Sequence, residues 1–191
     1  LLPQSFRGAY LQSMDIEDLT LNAGYLDRIN RRDSSNYQAM TVASPNRRFN
    51  PAAESSHAAF FGGDYQLSKG LKLRAYHTTV ADLYRQEYFG LLHELPVGPG
   101  VLSTDLRAFI SNEDGSAKAG KVDNRNLAAQ FAYSFDGHRF TLGYMHQSGE
   151  TAKPYISGTE SMVISEMAMS SDFLNPCLLY TSDAADDSLR V

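Results

Sequence analysis

Three observations predict an all-β fold, in which an antiparallel sheet forms part of a transmembrane β-barrel. Apolar and polar residues alternate with a period of two along about eight segments, most of them about ten residues long. That is longer than the usual five or six residues of a globular strand and matches the roughly nine to eleven that a tilted strand needs to cross a bilayer. The connections alternate between short and long, which gathers tight turns at one rim and long polar loops at the other. A soluble β-sandwich has no reason to sort its loops by parity.

The first two segments, 5–13 and 19–27, flank a short turn at 14–18. A long polar stretch, 29–57, leads to 58–67, which joins 71–79 through 68–70. In 71–79, Leu71, Leu73 and Ala75 share one face and Lys72, Arg74 and Tyr76 the other, because successive strand side chains point to opposite sides. The connection at 80–82 is short, but its place in the order is that of the long class. Segment 83–95 is the least regular, since Arg85, Glu87 and His93 share a face with Phe89 and Leu91. After a turn at 96–100, segment 102–111 sets Leu102, Leu106, Ala108 and Ile110 against Ser103, Asp105, Arg107 and Phe109. In these cleaner strands the charges keep to one face.

The polar loop 112–124 precedes the clearest pair, 125–135 and 138–148. Leu127, Phe131, Tyr133, Phe140, Leu142 and Tyr144 fall on one side of it, and Gln130, Ser134, Arg139 and Gln147 on the other. Asp136-Gly137 between the arms supplies the positive φ angles of a type I′ turn and so fixes the register. In a barrel the apolar side faces lipid and the polar side the lumen, with short turns periplasmic and long loops external. Tyr10, Tyr25, Tyr65, Tyr133, Phe135, Phe140 and Tyr144 are assigned to apolar faces, where they suit aromatic girdles at the headgroups, although ordinary sheet packing favours aromatics equally.

Bulk properties narrow the function classes. No run approaches the length of a membrane-spanning helix, and a negative mean hydropathy is compatible with alternating strands. The formal net charge of −5 speaks against a nucleic-acid binder with a broad basic surface. A single cysteine, Cys177, excludes a disulfide framework or a cysteine zinc site, and the five histidines have no metal-ligand spacing. Asn112-Glu-Asp-Gly-Ser116 starts like a calcium loop but lacks the later ligands and reads as a turn. No Gly-x-Ser-x-Gly elbow or phosphate-cradling glycine loop occurs, so no catalytic residue, metal or cofactor is expected.

Several stretches resemble the OprD-like family of outer-membrane substrate-specific porins. They are Asp18-Leu-Thr-Leu-Asn-Ala-Gly24, Arg32-Asp-Ser-Ser-Asn-Tyr-Gln38, Leu83-Tyr-Arg-Gln-Glu-Tyr-Phe-Gly-Leu91 with His93-Glu-Leu-Pro96, Thr104-Asp-Leu-Arg107, Ala119-Gly-Lys-Val-Asp-Asn-Arg125, and Gly137-His138 leading to Gly149-Glu-Thr151. The ordered set carries the resemblance, and no single motif does. It implies a monomeric barrel of about eighteen strands in the bacterial outer membrane, among lipid and lipopolysaccharide. It also implies a loop-constricted eyelet and an inner ladder of basic side chains that pass small carboxylates, amino acids and some antibiotics. Eight strands make this chain a fragment of such a barrel.

Within that frame Lys72, Arg74, Arg107 and Arg139 face inward and suit a basic track for anions, because charge in a narrow lumen lowers the barrier for the opposite ion. Solvated charges lining a wide wall are the bland alternative. Arg31, Arg32, Asp33, Ser34, Ser35 and Tyr37 are candidates for the constriction loop, against an external loop that only covers the barrel. The expected domains are 1–176, a partial porin barrel, and 177–191, which reads as the translation of a sequencing adapter. An extracellular β-rich binding or adhesion protein and a serine peptidase remain alternatives. The first needs the apolar faces buried against another sheet, and the second a converging triad.

Overall fold

Each alternating segment becomes a strand of one meander. The computed structural model describes residues 4–43 and 49–159, and the expected tail at 177–191 lies outside them. The strands are β1 (Ser5–Ile16), β2 (Leu19–Asn30), β3 (Met40–Thr41), β4 (Glu54–Ser55), β5 (Ala58–Ser68), β6 (Leu71–Val80), β7 (Tyr84–Val97), β8 (Gly100–Glu113), β9 (Asp123–Phe135) and β10 (His138–Gly149). Eight of them form one antiparallel sheet in the order β1-β2-β5-β6-β7-β8-β9-β10, and β3 pairs with β4 inside the 31–57 connection. The long strands run 10 to 14 residues and extend past the expected ends, because ladder pairing continues where the hydrophobic alternation has faded.

Three tight turns are shorter than the sequence suggests, Glu17-Asp18, Lys69-Gly70 and Gly98-Pro99, and the fourth is Asp136-Gly137, as expected. Asp136 (φ 45°) and Gly137 (φ 75°) take the left-handed conformations that a two-residue type I′ connection requires. The other rim carries 31–57, 81–83, 114–122 and the chain after β10, so the parity of loop lengths holds except at the three-residue connection 81–83.

Register divides the sheet into two unlike faces. On one, Phe140 (65% exposed), Leu142 (71%) and Tyr144 (64%) project outward beside Leu127 and Phe131. On the other, Asn124, Asn126, Ala128, Gln130 and Ala132 of β9 are buried. This inverts the soluble pattern, in which the apolar face is the sheltered one, and it is the arrangement of a barrel wall with lipid outside.

The apolar core sits at the long-loop rim, on the inner side. Ala58, Val80 and Tyr84, at the strand ends, pack with Met40, Val42, Phe49 and Ala53 of the 31–57 connection, with Ala119 and Val122, and with Ala152. Full burial of each larger aliphatic side chain there contributes about 1.5–3 kcal/mol. Backbone hydrogen bonds join the three loops: Ala43 N–H to Tyr155 C=O (2.8 Å), Ser157 N–H to Thr41 C=O (2.8 Å) and Asn50 N–H to Ala119 C=O (3.0 Å).

Two expectations change. Tyr10 pairs with Gly24, whose face is that of Asn22, so it lies on the inner side, 6.3 Å from Phe60 and donating to Asn22 Oδ1. Pairing is unbroken from Gly8 to Ser13, so Tyr10 shares the face of Gln12, and its aromatic ring rather than its register is what suggests the apolar side. Charges also reach the apolar face, near the long-loop rim. There His77 Nδ1 meets Glu87 Oε1 at 2.5 Å, and Arg7 grips Asp27 through Nε at 3.0 Å. The irregular segment 83–95 is nevertheless read correctly, since Glu87, Phe89, Leu91 and His93 share the face of Ile110, Ala108, Leu106 and Thr104.

Candidate pore-lining site

Because paired residues on neighbouring antiparallel strands project to the same side, the ladder converts the sequence into rows across the inner face. One row reads Thr20, Asp64, Arg74, Gly90, Arg107 and Ala128. A row nearer the short turns reads Gln66, Lys72, Leu92, Asp105 and Gln130. Toward the long loops lies Asn22, Gly62, Tyr76, Tyr88, Phe109 and Asn126. Cations and carboxylates thus occupy the middle of the wall, with aromatic rings above them.

The four basic candidates all fall on this face, but they do not form a uniform ladder. Arg74 and Arg107 share one row, two strands apart, with Gly90 between them. Arg107 is forked onto Asp105, through Nε at 3.0 Å and a terminal nitrogen at 2.6 Å. Arg74 has only a longer contact, Nε to Asp64 Oδ2 at 3.5 Å, and its Nε is buried without a hydrogen bond. Asp64 is in turn engaged by Tyr76, whose hydroxyl donates to Oδ1 at 3.0 Å and accepts from Asn22 Nδ2 at 2.8 Å. Lys72 lies lower, beside a hollow of about 240 Å³ that Gln66, Lys69 and Glu94 also line. Arg139 lies at the short-turn rim, against a hollow of about 500 Å³ with Pro99 and Phe135.

Residues 31–37 make a tight reversal at the end of β2. Ile29 and Gln38 close it with two backbone hydrogen bonds, at 3.0 and 2.8 Å. Arg32, Asp33, Ser35 and Tyr37 are exposed, and the Tyr37 hydroxyl lies 3.4 Å from Ser5 Oγ. Ser34 N–H donates to Arg31 C=O, and Arg31 reaches inward to donate to Thr41 Oγ1 at 2.6 Å. The part of this connection packed against the inner wall comes later, at Met40, Val42, Phe49 and Ala53.

Sequence reading missed Tyr88, Gly90, Asn126 and Lys153. Tyr88 lies 4.8 Å from Phe109 and 6.3 Å from Tyr76, ring centre to ring centre. Asn126 is fully buried, and neither of its amide atoms has a hydrogen bond. Lys153, on the chain after β10, is buried with its ammonium 4.2 Å from the Phe109 ring centre, and burial pushes its pKa down to about 7. Only cross-strand register could have signalled Tyr88 and Gly90, and no local pattern marks Lys153.

Above the strands, Asp82 ties two loops together. Its carboxylate accepts from Lys118 Nζ at 2.7 Å and from Ser116 N–H at 3.1 Å, and these bonds hold its pKa at about 2. Such a wall can hold and hand on a charged solute, with donors and acceptors standing in for its hydration shell.

A family model described as outer membrane porin, OprD family, matches residues 1–177. Porin D of Pseudomonas aeruginosa is 30% identical over 187 residues, covering 92% of this chain and 41% of that protein. The crystal structure of OccAB2 from Acinetobacter baumannii superposes with a TM-score of 0.85 at 41% identity, over 92% of this chain and 44% of that one. Pseudomonas aeruginosa OpdK, solved with vanillate, gives a TM-score of 0.78 at 31% identity, over 83% of this chain and 41% of that one. The chain therefore spans about two-fifths of the length of these relatives.

Proposed function

We propose, from the premise that this chain belongs to the OprD family of outer membrane porins, that the complete protein is a passive, substrate-selective diffusion channel for small water-soluble molecules. The family is one of channels rather than enzymes, and the permeant is the functional ligand. Carboxylates, and amino acids and antibiotics that carry one, are the solutes it passes. A solute enters under the joined loops and moves along Arg74 and Arg107 toward Lys72 and Arg139. The complete protein acts as a monomer among outer-membrane lipid and lipopolysaccharide, and 177–191 is an adapter-derived tail with no part in the channel.

The observation that carries this reading is the row Asp64-Arg74-Gly90-Arg107 at the middle of the sheltered polar face. Arg presents a planar fork of donors that matches a carboxylate, while flanking Asp64 and Asp105 keep the wall from trapping an anion permanently. The relative solved with vanillate, itself a carboxylate, supports the same class of permeant. The test is a planar bilayer containing the full-length protein, with succinate or benzoate added as blocker. Replacing Arg74, Arg107 and Arg139 together by Gln weakens the block about tenfold or more, as expected for lost hydrogen bonds to charge. Undiminished block in the triple variant rejects the basic track.

A further inference from the structure

We propose that Tyr88, Gly90 and Arg74 form one anion-selecting station, in which Gly90 leaves the space where the Tyr88 hydroxyl lies and that hydroxyl joins Arg74 in holding a carboxylate. This rests on the channel reading above and assigns selectivity to two residues without charge. Alternation along β7 sets Tyr88 and Gly90 next to each other on the inner face. A Cβ built at Gly90 would lie 2.5 Å from the Tyr88 hydroxyl oxygen and 3.3 Å from Arg74 Cβ. Gly90 is not among the positive-φ glycines, so what it supplies here is room. The phenol bends back along the wall into that room, beside the stem of Arg74. Phe109 and Tyr76 flank its ring on the neighbouring strands, which fixes where the hydroxyl sits.

The donors left over point to the ligand. Arg107 is committed to Asp105 through a fork, whereas Arg74 approaches Asp64 through its buried Nε, at 3.5 Å, and its terminal nitrogens make no hydrogen bond among the described residues. Asp64 already accepts from Tyr76. The Tyr88 hydroxyl makes no hydrogen bond among the described residues, leaving an unspent phenol donor beside the stem of an arginine whose terminal donors are also unspent. A carboxylate, with two acceptor oxygens, satisfies both at once. A spherical halide offers no such two-point match, so the pair discriminates between anions of equal charge.

Single-channel recording of the full-length protein tests this, with potassium chloride as carrier and succinate or benzoate as blocker. Tyr88→Phe keeps the ring and removes the hydroxyl. It weakens carboxylate block about tenfold, the loss of one hydrogen bond to a charged group, and leaves chloride conductance unchanged. Gly90→Ala displaces the phenol and produces a similar loss, and in the Tyr88→Phe background it adds little. Block unchanged by Tyr88→Phe but weakened by Arg74→Gln overturns the station and leaves the channel reading standing. Equal loss of block and conductance in Tyr88→Phe assigns the ring to wall packing alone and also overturns it. If neither Tyr88→Phe nor Arg74→Gln alters block, the station is overturned, and the triple arginine variant decides whether the basic track stands without it.

Discussion

Lys153 is a long cation folded under the loops, and burial has lowered its pKa from 10.5 to about 7. A lysine whose pKa falls on folding favours the neutral form in the folded state. Between about pH 7 and 10 the unfolded chain therefore holds more protons, and stability rises with pH by up to about 1.4 kcal/mol per unit; below 7 the dependence flattens. Lys153→Met removes that slope, so thermal midpoints of the full-length protein and the variant should diverge from pH 7 to 10. Parallel profiles would contradict the assignment. Individual side chains were the hardest feature to read from sequence. Arg74 and Arg107 follow the clean alternation of their strands, whereas Tyr10 alternates with Gly8 and Gln12 on the inner face although an aromatic ring suggests the apolar one. Gly90 carries no side chain to alternate, and its place between two arginines exists only once strands are paired.

At the level of strands and loops, all eight long strands and every tight turn were legible, since period-two patterning and Asp-Gly chemistry are local. The two-residue strands β3 and β4 were not, because a pair so short leaves no periodicity. The reach of the 31–57 connection over the inner wall is likewise not written in a local pattern. Its charged start suggested the constriction, yet its apolar middle makes the packing contacts. The clamp at Asp82 joins the β6–β7 connection to residues 116 and 118 of the next loop. A carboxyl with a lowered pKa contributes stability above its ordinary value of 3.8 and loses it as pH falls through about 2. Asp82→Asn should therefore speed amide hydrogen exchange across 114–122 at neutral pH, leaving the strands protected. Exchange in that loop indistinguishable from the parent would show that the clamp does not hold it.

Across the whole molecule, the exchange of faces sets which substitutions are tolerated. Leu142 projects on the outer face and Gln130 lies on the inner one, although they stand on adjacent strands. An arginine at Leu142 places a charge against hydrocarbon and costs about 2–4 kcal/mol near the bilayer midplane, while Gln130→Arg adds one more polar group to a polar wall. Folding titrations in lipid vesicles measure both, and equal penalties would contradict the assignment of faces. Sequence conveyed this inversion through strand length and loop parity, not through hydrophobicity, which two-faced strands average away. The order of the sheet has a further consequence, for kinetics. Each of the eight long strands pairs only with its nearest long neighbours in the chain, and the one interruption, β3–β4, is a local pair. Pairing within the sheet therefore never spans the chain, although the contacts of Thr41 and Ala43 with Ser157 and Tyr155 do, and such a sheet can be laid down one hairpin at a time, each new arm templated by the edge just formed. For the sheet itself, the local order of pairing favours extension at an edge by successive hairpins, with the contacts between the distant loops closing after the strands they connect.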